Sequence, residues 1–192
     1  MAAGGESDGD DEVLRRLVRG DASAFDSIVR AHQDRVFRLA LALLNRREDA
    51  RDAAQEVFLR AFRGLSSWRF EARLSTWLYR LTLNVCREAR RRRASEFWKR
   101  GRFLALVAPL VARVRTAPEL PEGGLERLVE ALPPRQREVV VLRVYEDLTV
   151  AEAAEVLGVP PGTVKSNYFH AIGALRRRLA AAPAPALKAT RP

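Results

Sequence analysis

The stretch from Leu148 to Leu179, LTVAEAAEVLGVPPGTVKSNYFHAIGALRRRL, constrains this chain more than any other, because it dictates two helices and the break between them. Thr149 is placed to cap the first helix, and Glu152, three residues on, can reach back to the N–H of the cap and close a capping box. Ala153, Ala154 and Leu157 supply small and apolar contacts. Gly158 stands where a left-handed residue ends a helix. Pro160-Pro161-Gly162 then stops the chain and restarts it, since proline is tolerated in a first helical turn and not in the interior.

The second helix carries two faces. Val164, Tyr168, Ala171, Leu175 and Leu179 recur at steps of three and four and are expected to face inward. Lys165, Ser166, Phe169, His170 and Gly173 fall on the other side. A cation, a hydroxyl, an aromatic ring and an imidazole at the start of a helix suit a DNA major groove: such a helix presents its first side chains to base edges and its N–H groups to phosphate. The plain alternative is a helical hairpin with Phe169 half buried. The alanine pair, Gly158 and the Pro-Gly restart together favour a DNA-reading helix-turn-helix.

Helical spacing recurs almost everywhere and strand-like alternation is absent, so the expected fold is all-α. At 192 residues the chain has room for two small helical domains. The formal charge is +10, and its placement matters more than its size. Residues 24–93 hold 16 basic and 8 acidic side chains, whereas 125–180 hold 8 and 7. The excess lies in the first half, so a polyanion is expected to touch that half as well as the helix-turn-helix. The one cysteine, Cys86, rules out an intramolecular disulfide and is expected to be a small buried thiol. An acidic opening without an apolar leader, and no apolar run of spanning length, imply a cytoplasmic protein.

Residues 1–11 read as a disordered acidic lead-in. A short helix over Asp11–Val18 is broken at Gly20-Asp21. From Ala24 on, Phe25, Ile28, Val29, Val36, Ala40, Leu43 and Leu44 trace an apolar stripe along a helix of about five turns, with His32 as a structural, hydrogen-bonded residue. A turn at Asn45-Arg46-Arg47 leads into a helix over Glu48–Leu65, whose inward stripe is Ala50, Ala53, Ala54, Val57, Phe58, Ala61, Phe62 and Leu65. On its outside Asp49, Asp52 and Glu56 make an acidic strip beside Gln55, with Arg60 and Arg63 following. Acids near a helix start also suit the dipole; the functional reading is a docking strip for a basic partner helix. No histidine or second acidic cluster completes a metal site or a catalytic pair.

Gly64–Arg73 reads as a loop carrying Trp68 and Phe70 among Arg69 and Arg73. Aromatics flanked by arginines can stack unpaired bases, though Trp68 can equally plug the core. The next helix starts near Ser75, turns Trp77, Leu78, Leu81, Val85 and Ala89 inward, holds Asn84 among polar neighbours and ends in the arginines of 90–93. That cluster favours nucleic acid. Residues 94–124 read as a linker by composition, in which the basic and apolar Phe97–Val114 can form a short helix or an amphipathic surface segment and TAPELPEGG is flexible or extended. A second compact domain follows from about Gly124 to residue 180, with a helix over Leu125–Leu132 and another from Pro133-Pro134 whose Val139, Val140, Leu142, Val144 and Tyr145 are apolar. The Ala/Pro tail, 181–192, is expected to be disordered.

Taken together, DARDAAQEVFLRAFR, STWLYRLTLNVCREARRRR and LPPRQREVVVLRVYEDLTVAEAAEVLGVPPGTVKS resemble bacterial RNA polymerase sigma factors of the extracytoplasmic-function group. Two separate domains match in the right order. The resemblance implies a region 2-like domain over 12–93, a region 4-like domain over 125–180, and a protein that binds polymerase core and directs it to promoters. It implies that Asp49, Asp52, Gln55 and Glu56 dock on the clamp helices of the largest core subunit. It implies that Arg60, Arg63, Gly64, Ser67, Trp68, Arg69, Phe70, Trp77 and Asn84 serve the −10 element, the loop capturing a flipped base. The −35 element falls to Gly162, Thr163, Lys165, Ser166, Phe169 and His170. An anti-sigma partner is implied too, and no cofactor, metal, small-molecule substrate or enzymatic activity. Where family members often carry arginine, this chain has Lys165, Asn167 and His170, and lysine lacks the bidentate fork to guanine. Phe70 stands where a small residue is common.

Two other readings make different demands. A stand-alone helix-turn-helix regulator needs no acidic strip and binds duplex without polymerase. A membrane-surface module uses Phe97–Val114 against anionic lipid and has no role in transcription.

Overall fold

The computed structural model describes residues 23–65, 73–107 and 124–181, with isolated positions between Val13 and Asp21, and without the side chains of 96–107 and 181. All secondary structure among the described residues is helical. The first helix, α1, spans Ala24–Leu44. It ends because Asn45 turns left-handed, φ 54°, and its N–H donates to the Leu41 carbonyl at 2.8 Å; asparagine adopts that conformation more readily than most residues. Helix α2, Arg47–Gly64, starts with Glu48 and Asp49 in its first turn, where negative charge meets the positive end of the dipole. Helix α3 spans Leu74–Val107.

These three helices bury a common core. It is built from Ile28, Val36, Leu39 and Leu43 of α1, Leu78 and Val85 of α3, and the small Ala50, Ala53 and Ala61 of α2. Small residues on α2 let its backbone approach its neighbours closely, so the bundle packs without large side chains from every element. His32 is buried, as expected of a structural histidine. Thr82, fully buried, donates its hydroxyl to the Leu78 carbonyl at 2.7 Å and leaves no unsatisfied donor there.

Three features depart from the sequence reading. Phe62, expected inward, is 53% exposed and rests edge-on against Phe25 with ring centroids 5.2 Å apart. Helix α3 does not end at Arg93 but runs on to Val107, into the stretch expected to be linker. Its buried arc is also wider than one stripe, because Tyr79, Leu83 and Cys86 are buried as well as Leu78 and Val85. The second half of the chain accounts for the width: it packs against both α3 and α1.

That second half begins with α4, Gly124–Glu130, and α5, Pro134–Val140, which runs without a break into one π-helical turn, Val141–Tyr145. The buried Arg137 holds α4 and α5 together. It donates to the Val129 carbonyl at 3.1 Å, the Leu132 carbonyl at 2.9 Å and the Glu130 carbonyl, which satisfies the orphan acceptors at the end of α4. Of the apolar residues in this stretch Val139, Val140 and Leu142 are buried, whereas Val144 and Tyr145, in the widened turn, are exposed. Helix α6, Val150–Leu157, carries the expected capping box: the Thr149 N–H donates to Glu152 at 2.7 Å, and the Glu152 N–H to the Thr149 hydroxyl at 3.2 Å. Gly158 is left-handed at φ 64°, and the Val159 N–H donates back to the Ala154 carbonyl at 3.1 Å, closing the helix end. Helix α7 then runs over Pro161–Ala181.

Candidate nucleic-acid interface

Helix α7 is aimed by what it buries. Val164 and Ala171 are fully buried and Leu175 nearly so, packed with Ala153, Ala154 and Val156 of α6. Leu179, one turn further on, is exposed and does not join that seam. With the inward face fixed, Gly162, Thr163, Lys165, Ser166, Phe169 and His170 all stand in solvent. Phe169 is 76% exposed and meets the His170 ring edge-on at 5.8 Å. A large aromatic so uncovered is costly on a surface with no partner, and it sits beside a cation and two hydroxyls. Asn167 turns back to donate to the Thr163 carbonyl at 2.9 Å, so it braces the first turn of α7. Arg143 lies 5.8 Å over the Tyr168 ring and donates to the Leu148 carbonyl, fixing α7 against the turn before α6.

On the first half, α2 divides its outer surface into two grooves. One side is acidic: Asp49, Asp52 and Glu56 line a groove completed by Arg46, Arg90 and Arg93. Asp49 faces Arg46 at 3.8 Å and Arg93 at 3.7 Å, and Asp52 is exposed. Glu56 accepts from Arg60 at 2.7 Å, and the Arg60 fork closes on Glu88 of α3 at 2.9 and 2.7 Å. Arg60, assigned from sequence to DNA, is therefore occupied by two carboxylates and ties the acidic strip to α3. Its guanidinium holds the Glu88 carboxyl below the ordinary range. The other side, missed in the sequence, is apolar: Phe25, Val29, Phe37, Phe58, Leu59 and Phe62 line an open groove next to Gln55. The signal was present in Leu59 and Phe62, three residues apart on α2, but the spacing of Phe62 also fits the core stripe.

Gly64 ends α2 in close contact with Trp77: a Cβ there would stand 3.2 Å from Cζ2 of the indole. Asn84, exposed on α3, accepts a hydrogen bond from Arg87 at 3.1 Å. Trp77 and Asn84 thus lie two helical turns apart on α3, and Arg63 is exposed near the end of α2. Ser67, Trp68, Arg69 and Phe70 lie outside the described residues, as do the acidic opening, the tail and the side chains of Phe97–Val107. The arginine run at 90–93 divides: Arg90 donates to the Leu43 carbonyl at 3.1 Å and caps α1, Arg93 meets Asp49, and Arg91 and Arg92 are exposed. Cys86 is buried, and burial pushes its thiol up to about 12. Among the described residues no group of three His, Cys, Asp or Glu side chains could hold a metal, and no helix is long and apolar enough to cross a membrane.

Comparison with known proteins places these surfaces in a family. Residues 28–96 match the model of sigma-70 region 2 and residues 123–175 that of sigma-70 region 4. The chain is 36% identical over 170 residues to the ECF RNA polymerase sigma factor SigM of Mycobacterium tuberculosis (strain H37Rv), covering 88% of this chain and 84% of that protein. It is 31% identical to the RNA polymerase sigma-H factor of Pseudomonas aeruginosa over 88% of this chain and 93% of that one. Against the ECF sigma factor SigW of Bacillus subtilis the identity is 27%, over 86% and 94%. The fold is shared with CnrH, solved in complex with the cytosolic domain of CnrY, at a TM-score of 0.68 and 24% identity over 91% of this chain and 99% of that one. It is shared too with the sigma factor RpoE of Bartonella quintana, solved with the anti-sigma factor NepR, at a TM-score of 0.56 and 20% identity over 83% and 98%.

Proposed function

The chain belongs to the extracytoplasmic-function RNA polymerase sigma factors, and on that premise we propose how its residues divide the work of starting transcription. Asp49, Asp52, Gln55 and Glu56 dock on the clamp helices of the largest polymerase subunit. Exposed ion pairs contribute roughly 0–1 kcal/mol each, too little for a stable complex. Leu59 and Phe62, exposed beside Gln55, supply the apolar area that such an interface needs at its centre.

Helix α7 enters the major groove of the −35 element with Lys165, Ser166, Phe169 and His170, while the Gly162 N–H and the Thr163 hydroxyl face phosphate. At the −10 element a base leaves the stack and is captured by Ser67, Trp68, Arg69 and Phe70, with Trp77 and Asn84 from α3 and Gly64 and Arg63 at its edge. Extrusion costs a few kcal/mol, and base–aromatic stacking returns roughly 1–3, so capture can balance opening without ATP. An anti-sigma protein that covers these surfaces is the proposed inhibitor; RpoE, which shares the fold, was solved with one.

The observation that supports this reading over a stand-alone regulator is the exposed acid-and-apolar surface of α2, which a duplex-binding protein has no use for. The test is to add the protein to purified core polymerase and sequence the transcripts it starts. Promoter-specific starts are expected; their absence with a cognate core refutes the proposal.

A further inference from the structure

The start of α5 faces α3 across a cavity of about 590 Å³ whose charged lining is almost all of one sign. Arg87, Arg90 and Arg91 line it from α3, Arg135 and Arg137 from α5, and Glu138 is the one acidic residue among them. Arg137 is 3% exposed, Arg87 and Arg90 are half-buried, and Arg91 and Arg135 stand in solvent. Glu138 cannot balance five guanidiniums. It takes two hydrogen bonds from Arg87, at 2.7 and 2.9 Å, and one from Arg135 at 3.3 Å. The others donate to neutral oxygens: Arg90 to the Leu43 carbonyl at 3.1 Å and Arg91 to the Arg87 carbonyl at 3.4 Å. Glu88, the nearby carboxylate of α3, is turned to Arg60. Arg137 gives its Nε and Nη2 to backbone carbonyls, while its Nη1 is buried without a hydrogen-bond partner among the described residues. Burying a guanidinium is costly unless its N–H groups and its charge are both met. Buried polar atoms in folded proteins nearly always have a partner, so this exception points to one that the chain itself does not supply.

We propose that this cavity is a binding site for a small molecule carrying two phosphate groups, such as a diphosphate or a nucleoside diphosphate. Five guanidiniums against one carboxylate leave four positive charges over. A phosphate group bears about 1.5–2 negative charges near pH 7, so two of them match that excess. Guanidinium forks take phosphate oxygens two at a time, which fixes the group as well as attracting it. Asn84 adds a neutral donor: its side-chain oxygen accepts from Arg87 at 3.1 Å, and its amide nitrogen remains to donate. The volume suits a small molecule, whose sites run from about 300 to 1,000 Å³. Leu43, Leu83 and Pro134 give the cavity an apolar wall against which an organic body can lie. A nucleic-acid strand suits it less well, since it carries one charge per phosphate and the cation that lacks a partner is the most deeply buried. The site needs neither polymerase nor promoter, so it stands apart from the function proposed above.

Isothermal titration calorimetry on the full chain, without polymerase or DNA, tests the site with inorganic diphosphate, ADP and AMP as probes. Saturable one-to-one binding is expected for diphosphate and ADP, with AMP weaker by about tenfold or more. ADP binding tighter than diphosphate assigns the apolar wall to a base, and equal affinities assign the binding to the phosphates alone; either upholds the site. Arg91→Ala with Arg135→Ala, both exposed, is expected to weaken ADP binding by about tenfold or more, with helix content by circular dichroism unchanged. Arg176→Ala with Arg177→Ala removes the same charge from the exposed end of α7 and should leave the affinity within about twofold, because salt screens charges so far from the site. Should the first pair lose helix content, Arg91→Glu alone carries the comparison. No saturable binding of diphosphate or ADP at about 1 mM, AMP as tight as ADP, or an equal loss from both arginine pairs overturns the inference. So does binding of a short oligothymidylate by a chain that takes neither diphosphate nor ADP, since the charge then serves a strand.

Discussion

Gly64→Ala separates the fold of this protein from its proposed strand opening. A methyl at Gly64 would meet the Trp77 indole at 3.2 Å from Cζ2 and 3.7 Å from Cη2, so the ring must shift by a few tenths of an ångström. Trp77 is half-buried. Alanine in place of glycine at a helix end returns roughly 0.5 kcal/mol of backbone entropy. The two effects nearly cancel, and stability should stay within about 1 kcal/mol of wild type. The edge of the proposed base-capturing site, however, is displaced. If half of a base-stacking contribution of roughly 1–3 kcal/mol is lost, opening slows about two- to twelvefold. The assay is single-round transcription by the reconstituted polymerase on two templates, one fully paired and one with the −10 bases mismatched open. The variant should lag on the first and match wild type on the second. An equal rate on the paired template, or an equal deficit on both, would refute the link between the Gly64–Trp77 contact and strand opening.

Asp52→Ala with Glu56→Ala should weaken core binding in a pull-down or titration and leave the melting temperature unchanged, because Arg60 keeps Glu88 as its partner; equal affinity removes the docking assignment. Lys165→Ala should cost about 1–3 kcal/mol at one base position if the lysine reads a base, measured over a panel of −35 variants. A uniform loss with a shallower salt slope would assign it to phosphate instead. The Cys86 thiol, held near 12 by burial, should resist a thiol reagent at pH 8 in the folded chain and react promptly in denaturant. The same shift means that folding favours the protonated thiol, so its contribution to stability is intact below about pH 9 and fades as pH climbs toward 12.

Local signals made much of the molecule legible. The capping box at Thr149 and Glu152, the left-handed Gly158 and the Pro160–Gly162 restart each depend on neighbours three or four residues away, and each was readable as such. The exposed face of α7 followed from the inward set Val164, Ala171 and Leu175. Long-range effects were not legible. Nothing in the periodicity of α3 says that two bodies would cover it, so Tyr79 and Leu83 read as ordinary helix, whereas Cys86 was legible as a buried thiol from its apolar setting. Arg60 and Arg90 look like free cations in sequence, but Glu88 and the Leu43 carbonyl, which engage them, come from other helices. Phe62 fits a core stripe by spacing, yet it stands exposed against Phe25 of α1 while Ala61 is buried beside it.

The π turn at Val141–Tyr145 makes the second half sensitive to length in a way its composition does not reveal. Such a turn holds one residue more than the α-helix it interrupts. Deleting any one of those five residues would let the helix continue smoothly and rotate everything before it by about 100° relative to α6 and α7. The packing of α5 on α7 would be lost, with the donation from Arg178 to the Leu128 carbonyl, while the helix-turn-helix itself stayed whole. A gene with a three-base deletion there would still encode a sound DNA-reading motif, mounted on a misaligned shaft.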